Sequence, residues 1–102
     1  MEVEMDIVNE LAKKASISPD GLLREGLKLF LMRRKKELIL EKLEILSRYG
    51  LKGIDQLEEK IRKGEVPEHP AWEDLIEVEN IEDELREIQS YLDRLSRVNL
   101  HS

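Results

Sequence analysis

The sequence predicts an all-α protein of four helices, two long and two short, in a helical-bundle or coiled-coil-like arrangement. Charged residues make up 39% of its 102 residues, against roughly 25% in an average globular domain. Leu, Glu, Lys, Arg and Ile dominate, which is typical of long helices. Apolar residues recur at three- and four-residue spacings along most of the chain, and we find no strand signal.

The first two helices are separated by a clear capping signal. We expect a helix over residues 3–15. Ser18 then precedes Pro19, and serine is a preferred N-cap while proline suits the first helical position. The second helix should therefore cover residues 19–48, and Gly50 supplies a left-handed stop behind it.

The second half of the chain predicts a short helix, a linker and a long acidic helix. Asp55 with Glu58 resembles a capping box and should open a helix over residues 55–63. A proline-containing linker follows, and then a helix over residues 70–97. The apolar residues of this last helix occupy a and d positions of a heptad: Val78, Ile81, Leu85, Ile88, Leu92 and Leu95.

The chain is short enough to be one domain. Within it, we assign residues 1–50 to a helix-turn-long-helix dimerisation part. Residues 51–102 hold the short helix, the linker and the acidic carboxyl-terminal helix.

The second helix carries apolar residues on two sides, which a single neighbour cannot cover. One stripe, assigned to dimerisation, contains Leu23, Leu27, Phe30, Leu31 and Leu38. The other contains Leu29, Met32, Lys36, Ile39, Leu43 and Leu46. Helices about 40–45 Å long also overhang a compact globule of this size. We therefore expect a homodimer, the alternative being a monomeric bundle in which the two long helices pack antiparallel.

Opposite charges are concentrated on the two long helices. Residues 24–36 hold six basic residues and one acid, whereas residues 73–87 hold eight acids and one arginine. These blocks should attract one another, within one chain or across a dimer. Glu44 and Arg48 are also spaced for a pair along one helix.

Composition and motifs exclude several function classes. There is no cysteine, hence no disulfide or thiolate chemistry. No apolar run approaches the roughly 20 residues of a membrane span, so we expect a cytoplasmic protein that does not enter the membrane. His69 lies in the linker and His101 in the carboxyl-terminal tail, and the proximity of His69 to Glu65 and Glu68 is common in charged linkers. The glycines form no phosphate loop. We expect no enzyme, no metal, no cofactor and no small-molecule substrate.

Two surface features could engage partners. Trp72 lies in an aromatic, acidic and aliphatic patch, assigned to partner binding, that would suit a basic partner: Trp72, Glu73, Asp74, Leu75, Ile76 and Glu77. Tryptophan is enriched among interface hot spots, although packing in the chain's own core is the commoner case. The second feature is the basic run Arg33, Arg34, Lys35 and Lys36, which could contact nucleic acid or remain a solvated or ion-paired helix surface.

Several short helical motifs are spread over much of the chain. They are residues 10–14 (ELAKK), 17–18 (IS), 22–27 (LLREGL), 48–50 (RYG), 57–64 (LEEKIRKG) and 72–82 (WEDLIEVENIE). With these motifs the chain resembles ribbon–helix–helix antitoxins and archaeal antitoxin-like small proteins. The resemblance implies dimerisation through the first two helices and a carboxyl-terminal half that covers a toxin. The family reads DNA with a basic amino-terminal strand, which the short, acidic residues 1–6 do not supply.

These observations predict a non-enzymatic, antitoxin-like interaction module. It would dimerise through its long helices and bind a basic protein such as a ribonuclease toxin. The alternatives are a nucleic-acid-binding regulator that uses the basic run, and a purely structural, self-assembling helical protein.

Overall fold

The computed structural model describes residues 5–99, which form four α-helices and no strand. The helices are α1 (Met5–Ala15), α2 (Pro19–Ser47), α3 (Ile54–Arg62) and α4 (Glu68–Asn99). The predicted all-α class, with two long and two short helices, is confirmed. The acidic residues 1–4 and the carboxyl-terminal residues 100–102, which include His101, lie outside the described part.

The turn between α1 and α2 forms as its sequence predicts. The Ser18 hydroxyl accepts a hydrogen bond from the backbone N–H of Gly21 at 2.9 Å, so Ser18 is the N-cap of α2. At the end of α1, Ser16 adopts a left-handed conformation with φ of 59°, a position usually taken by glycine. Gly50 takes the same conformation after α2, with φ of 69°.

The starts of α3 and α4 differ from the prediction. Gly53, and not Asp55, is the N-cap of α3, and no side chain caps this helix. Asp55 instead lies in the first turn, where its charge favours the helix dipole. The span of α4 begins at Glu68 but is interrupted by His69, whose φ of −109° and ψ of 125° are extended because Pro70 follows it.

The two long helices pack antiparallel within one chain. The amino-terminal part of α2 lies beside the carboxyl-terminal part of α4. Tyr49, which follows α2 in the chain, contacts Asp74 near the start of α4. Between these points, the inner sides of α2 and α4 and one side of α3 form the core. Its buried members are Leu38, Ile45, Leu46, Leu57, Ile61, Ala71, Leu75, Val78, Ile81 and Ile88. The predicted heptad of α4 is thus its inner side.

The molecule is elongated, measuring 60 × 31 × 19 Å. Its radius of gyration is 19.7 Å, against about 13 Å for a compact domain of 100 residues. The core lies at the end formed by α3 and the halves of α2 and α4 next to it. At the other end, α1 packs on α2 through Val8 and Ala12. This shape leaves long stretches of α2 without a neighbour.

Candidate interaction surfaces

The residues predicted to form a dimer divide between surface and core. Leu23, Leu27 and Phe30 are exposed, whereas Leu31 is half-buried against the core. Leu38 is buried by α4 of the same chain and is unavailable to a second copy. The prediction is corrected at Leu38, because the inner side of α2 is covered within the chain at that level.

The exposed members of this set contribute to a groove at the open end of the helix pair. We call it the terminal groove; its volume is about 440 Å³ and its lining is Leu27, Phe30, Leu31, Tyr91, Arg94 and Leu95. The Arg33 guanidinium lies 5.9 Å from the centre of the Phe30 ring, and the Arg94 guanidinium lies 5.6 Å from that of Tyr91. Cations stacked on aromatic rings thus border an apolar groove. Tyr91 did not stand out in the sequence because it is outside the heptad positions.

A second apolar surface runs along α2 beside the side that packs on α4. We call it the outer stripe, and its members are Leu29, Met32, Lys36, Leu40 and Leu43. Its apolar members are 46–62% exposed, while Ile39 is half-buried and Leu46 is fully buried. The predicted second stripe therefore turns into the core at its carboxyl-terminal end. Leu40, which the prediction omitted, belongs to the exposed surface.

The basic run of α2 is partly occupied by α4. The Arg34 guanidinium contacts the Glu84 carboxylate at 2.9 Å, and this hydrogen bond raises the pKa of Arg34. Lys35 donates to the side-chain oxygen of Gln89 at 3.1 Å. Arg33 and Lys36 are exposed on other sides of the helix. The four cations thus point in different directions and do not form one continuous basic surface.

Ion pairs between α2 and α4 confirm that their opposite charges meet. In addition to Arg34, Lys42 contacts Glu82 at 2.8 Å. The pair predicted within α2 does not form, because the Arg48 guanidinium lies 3.6 Å from Asp74 and not on Glu44. These contacts fix the antiparallel alignment within the chain more than they stabilise it, since exposed pairs contribute about 0–1 kcal/mol each.

The patch predicted for partner binding separates into outward and inward residues. Trp72, Glu73, Ile76 and Glu77 are exposed and form what we call the Trp72 patch. Leu75 packs in the core, and Asp74 is buried where it accepts a hydrogen bond from the Tyr49 hydroxyl. Both are therefore removed from the predicted surface. The pKa of Glu73 is lowered, first by a hydrogen bond from the backbone N–H of Glu73 itself and then by a hydrogen bond with His69 at 2.9 Å. Both contacts favour the charged form of this carboxylate.

Neither metal-binding groups nor membrane spans are found among residues 5–99. No three His, Asp or Glu side chains of this part are grouped so that they could hold a metal ion. None of the helices there combines the length and apolar character of a membrane span. The strongest surface features of the described chain are apolar stripes and grooves flanked by charge.

A comparison with protein families identifies the family of this chain. The family model described as "Uncharacterized protein MJ0235 family" matches residues 1–99. The chain belongs to this family. No curated protein and no solved structure matches it significantly. The description of the MJ0235 family names no activity or partner, and the likeness to antitoxins remains a prediction from the sequence.

Proposed function

We propose that this protein is a non-enzymatic, antitoxin-like interaction module. Two copies associate through apolar surfaces of their long helices, and each copy presents the Trp72 patch to a basic protein partner, such as a ribonuclease toxin.

The observation that carries the proposal is the apolar surface of α2 on opposite sides of the helix. α4 covers the side of α2 that carries Leu38, while Leu29 and Leu40 on the other side of α2 remain more than half exposed. Exposed apolar area costs about 25 cal/mol per Å² relative to burial. Association of two copies removes this area from water, and two-fold dimers are the commonest soluble assemblies.

The basic run supports protein recognition better than nucleic-acid recognition. Arg34 and Lys35 are engaged by Glu84 and Gln89 of α4. A phosphate backbone would have to compete with these contacts. The net charge of −6 further opposes binding to a polyanion.

The Trp72 patch suits a basic partner by its chemistry. Trp72 and Ile76 are one helical turn apart and exposed, and Glu73 and Glu77 lie directly beside them with the same spacing. An aromatic anchor bordered by acids combines a hot-spot side chain with electrostatic steering toward positive surfaces.

Light scattering of the full chain tests self-association. We expect the mass of two chains at micromolar concentration. A monodisperse mass of one chain under these conditions would contradict the proposal.

Partner binding is tested by co-expression with the product of the neighbouring gene. The wild-type chain should co-purify with it, whereas a Trp72→Ala, Glu73→Lys variant should lose most of the interaction. An equivalent change away from the patch, Tyr91→Ala with Glu87→Lys, is the matched control. Equal recovery with the wild type and the patch variant would contradict a role for the Trp72 patch.

A further inference from the structure

The outer stripe is symmetric about its central residue. Leu29 and Met32 precede Lys36 by seven and four residues, and Leu40 and Leu43 follow it by four and seven. Steps of four and seven return to the same side of an α-helix. The apolar side chains therefore have the same spacing when the helix is followed in either direction from Lys36.

We propose that the outer stripe is the contact between two copies of this chain, with their α2 helices antiparallel and Lys36 at the two-fold axis. The inference rests on the proposed self-association and adds the surface and the direction. A two-fold axis requires the same patch on both copies. It places Leu29 against Leu43 of the second copy, and Met32 against Leu40 of the second copy.

The apolar area of the stripe is compatible with the core of a standard dimer interface. Leu29, Met32, Leu40 and Leu43 are each about half exposed. Together they offer on the order of 450 Å² of apolar surface, within the range of about 300–600 Å² found for the largest patch of a typical monomer, which is often functional. An interface of average composition, about 57% apolar, that contained this area would bury about 800 Å² per copy, the size of a standard interface.

A groove beside the stripe can accept side chains of a second helix. It lies between α2 and α4, has a volume of about 410 Å³, and includes Met32, Ile39 and Leu92 in its lining. Lys36 also lines this groove. A helix laid on the outer stripe places side chains against the groove, so the contact extends beyond a single row of residues.

The charges beside the stripe select the antiparallel direction. Arg33, Glu37 and Glu44 are exposed along the same side of it, the cation before Lys36 and the acids after it. Glu37 also lies 3.9 Å from Arg33 of its own chain. Antiparallel packing brings Arg33 of each copy near Glu37 and Glu44 of the other. Parallel packing would place Arg33 against Arg33, so electrostatic complementarity favours the antiparallel arrangement.

Cross-linking through introduced cysteines tests both the surface and the direction. The chain has no cysteine, so each introduced thiol is unique. Lys36→Cys, Leu29→Cys and Leu43→Cys variants of the full chain are treated with a short bis-maleimide. We expect Lys36→Cys to cross-link to itself, and a Leu29→Cys and Leu43→Cys mixture, in which one variant carries a tag, to give the mixed product.

Leu29→Cys alone should remain uncross-linked, because the two copies of this position lie about 21 Å apart along antiparallel helices. Leu27→Cys, in the lining of the terminal groove, is the control for the other surface and should also remain uncross-linked. Helix content of each variant is checked by circular dichroism.

The outcomes separate the two proposals. Self-cross-linking of Leu29→Cys without the mixed product means parallel helices and overturns the inference. If the mass is that of two chains but cross-linking occurs at Leu27→Cys, or at none of these positions, the outer stripe is not the contact. Self-association itself is then still supported. A mass of one chain overturns both.

Discussion

The Tyr49 hydroxyl donates a hydrogen bond to the buried carboxylate of Asp74, joining the turn after α2 to the beginning of α4. Arg48 approaches the other oxygen of the same carboxylate at 3.6 Å. Burial of Asp74 is tolerated because its oxygens have these partners. The contact joins α2 and α4 at the end of the helix pair that contains the core.

Tyr49→Phe should lower the free energy of unfolding by about 1–3 kcal/mol. The substitution removes the hydrogen bond and leaves one oxygen of buried Asp74 without this donor. Urea unfolding followed by circular dichroism measures the effect. Tyr91→Phe, which changes an exposed tyrosine, is the control and should change stability by less than about 0.5 kcal/mol. Equal effects of the two substitutions would show that the contact with Asp74 contributes little.

The same tyrosine predicts a loss of stability in alkali. Burial, and then the hydrogen bond to Asp74, raise the pKa of Tyr49 from 10.0 to about 12. Because folding raises this pKa, the Tyr49 hydroxyl contributes to the free energy of unfolding. This contribution is complete below pH 10 and is lost as pH rises through about 12.

Urea unfolding of wild type and Tyr49→Phe between pH 9 and pH 12 tests this linkage. The stability difference between the two proteins should shrink as pH rises through this range. Absorbance titration of a Tyr91→Phe variant reports Tyr49 by itself and should show a pKa near 12. A midpoint at 10 would contradict the burial of this hydroxyl.

Ser16→Gly should stabilise the protein by about 0.5–1 kcal/mol. Ser16 has a φ of 59°, a conformation in which a Cβ is unfavourable and which glycine adopts freely. Ser90→Gly is the matched control. Ser90 is exposed within α4, where glycine should cost about 0.5–1 kcal/mol. Opposite signs in urea unfolding are expected, and destabilisation by both would place Ser16 outside the left-handed region.

Leu57→Ala should destabilise the protein by about 2–5 kcal/mol, because Leu57 on α3 is completely buried in the core. Leu11→Ala removes the same atoms from an exposed position on α1 and should cost less than about 1 kcal/mol. Similar midpoints in urea for both variants would mean that α3 is not docked on α4.

Lys36→Met should strengthen dimerisation roughly tenfold. In the proposed dimer, Lys36 meets Lys36 of the second copy, and a charge in an apolar seam lowers stability while it sets the register. Sedimentation equilibrium gives the dissociation constant. Lys52→Met, in the loop before α3, is the control and should leave it unchanged. Weaker association of Lys36→Met would argue against Lys36 at the two-fold axis.

Local features of the fold were predictable because their causes are local. Ser18 and Pro19 define the start of α2, and Gly50 its stop, through backbone conformation and hydrogen bonds within a few residues. The inner side of α4 followed from heptad spacing for the same reason. The start of α3 was missed because Gly53, an N-cap without a side-chain oxygen, gives a weaker signal than Asp55.

The helical character of the chain, the bounds of α2 and the two apolar sides of α2 follow from the order of the residues alone. The folded arrangement was needed to show that α4 covers the side with Leu38 and that Asp74 and Leu75 point inward. It was also needed to show that Arg48 contacts Asp74 and not Glu44. This difference arises because periodicity specifies which residues share a side of a helix. Which of two apolar sides is buried depends on the neighbour that packs there, and neighbours are brought together by the whole fold.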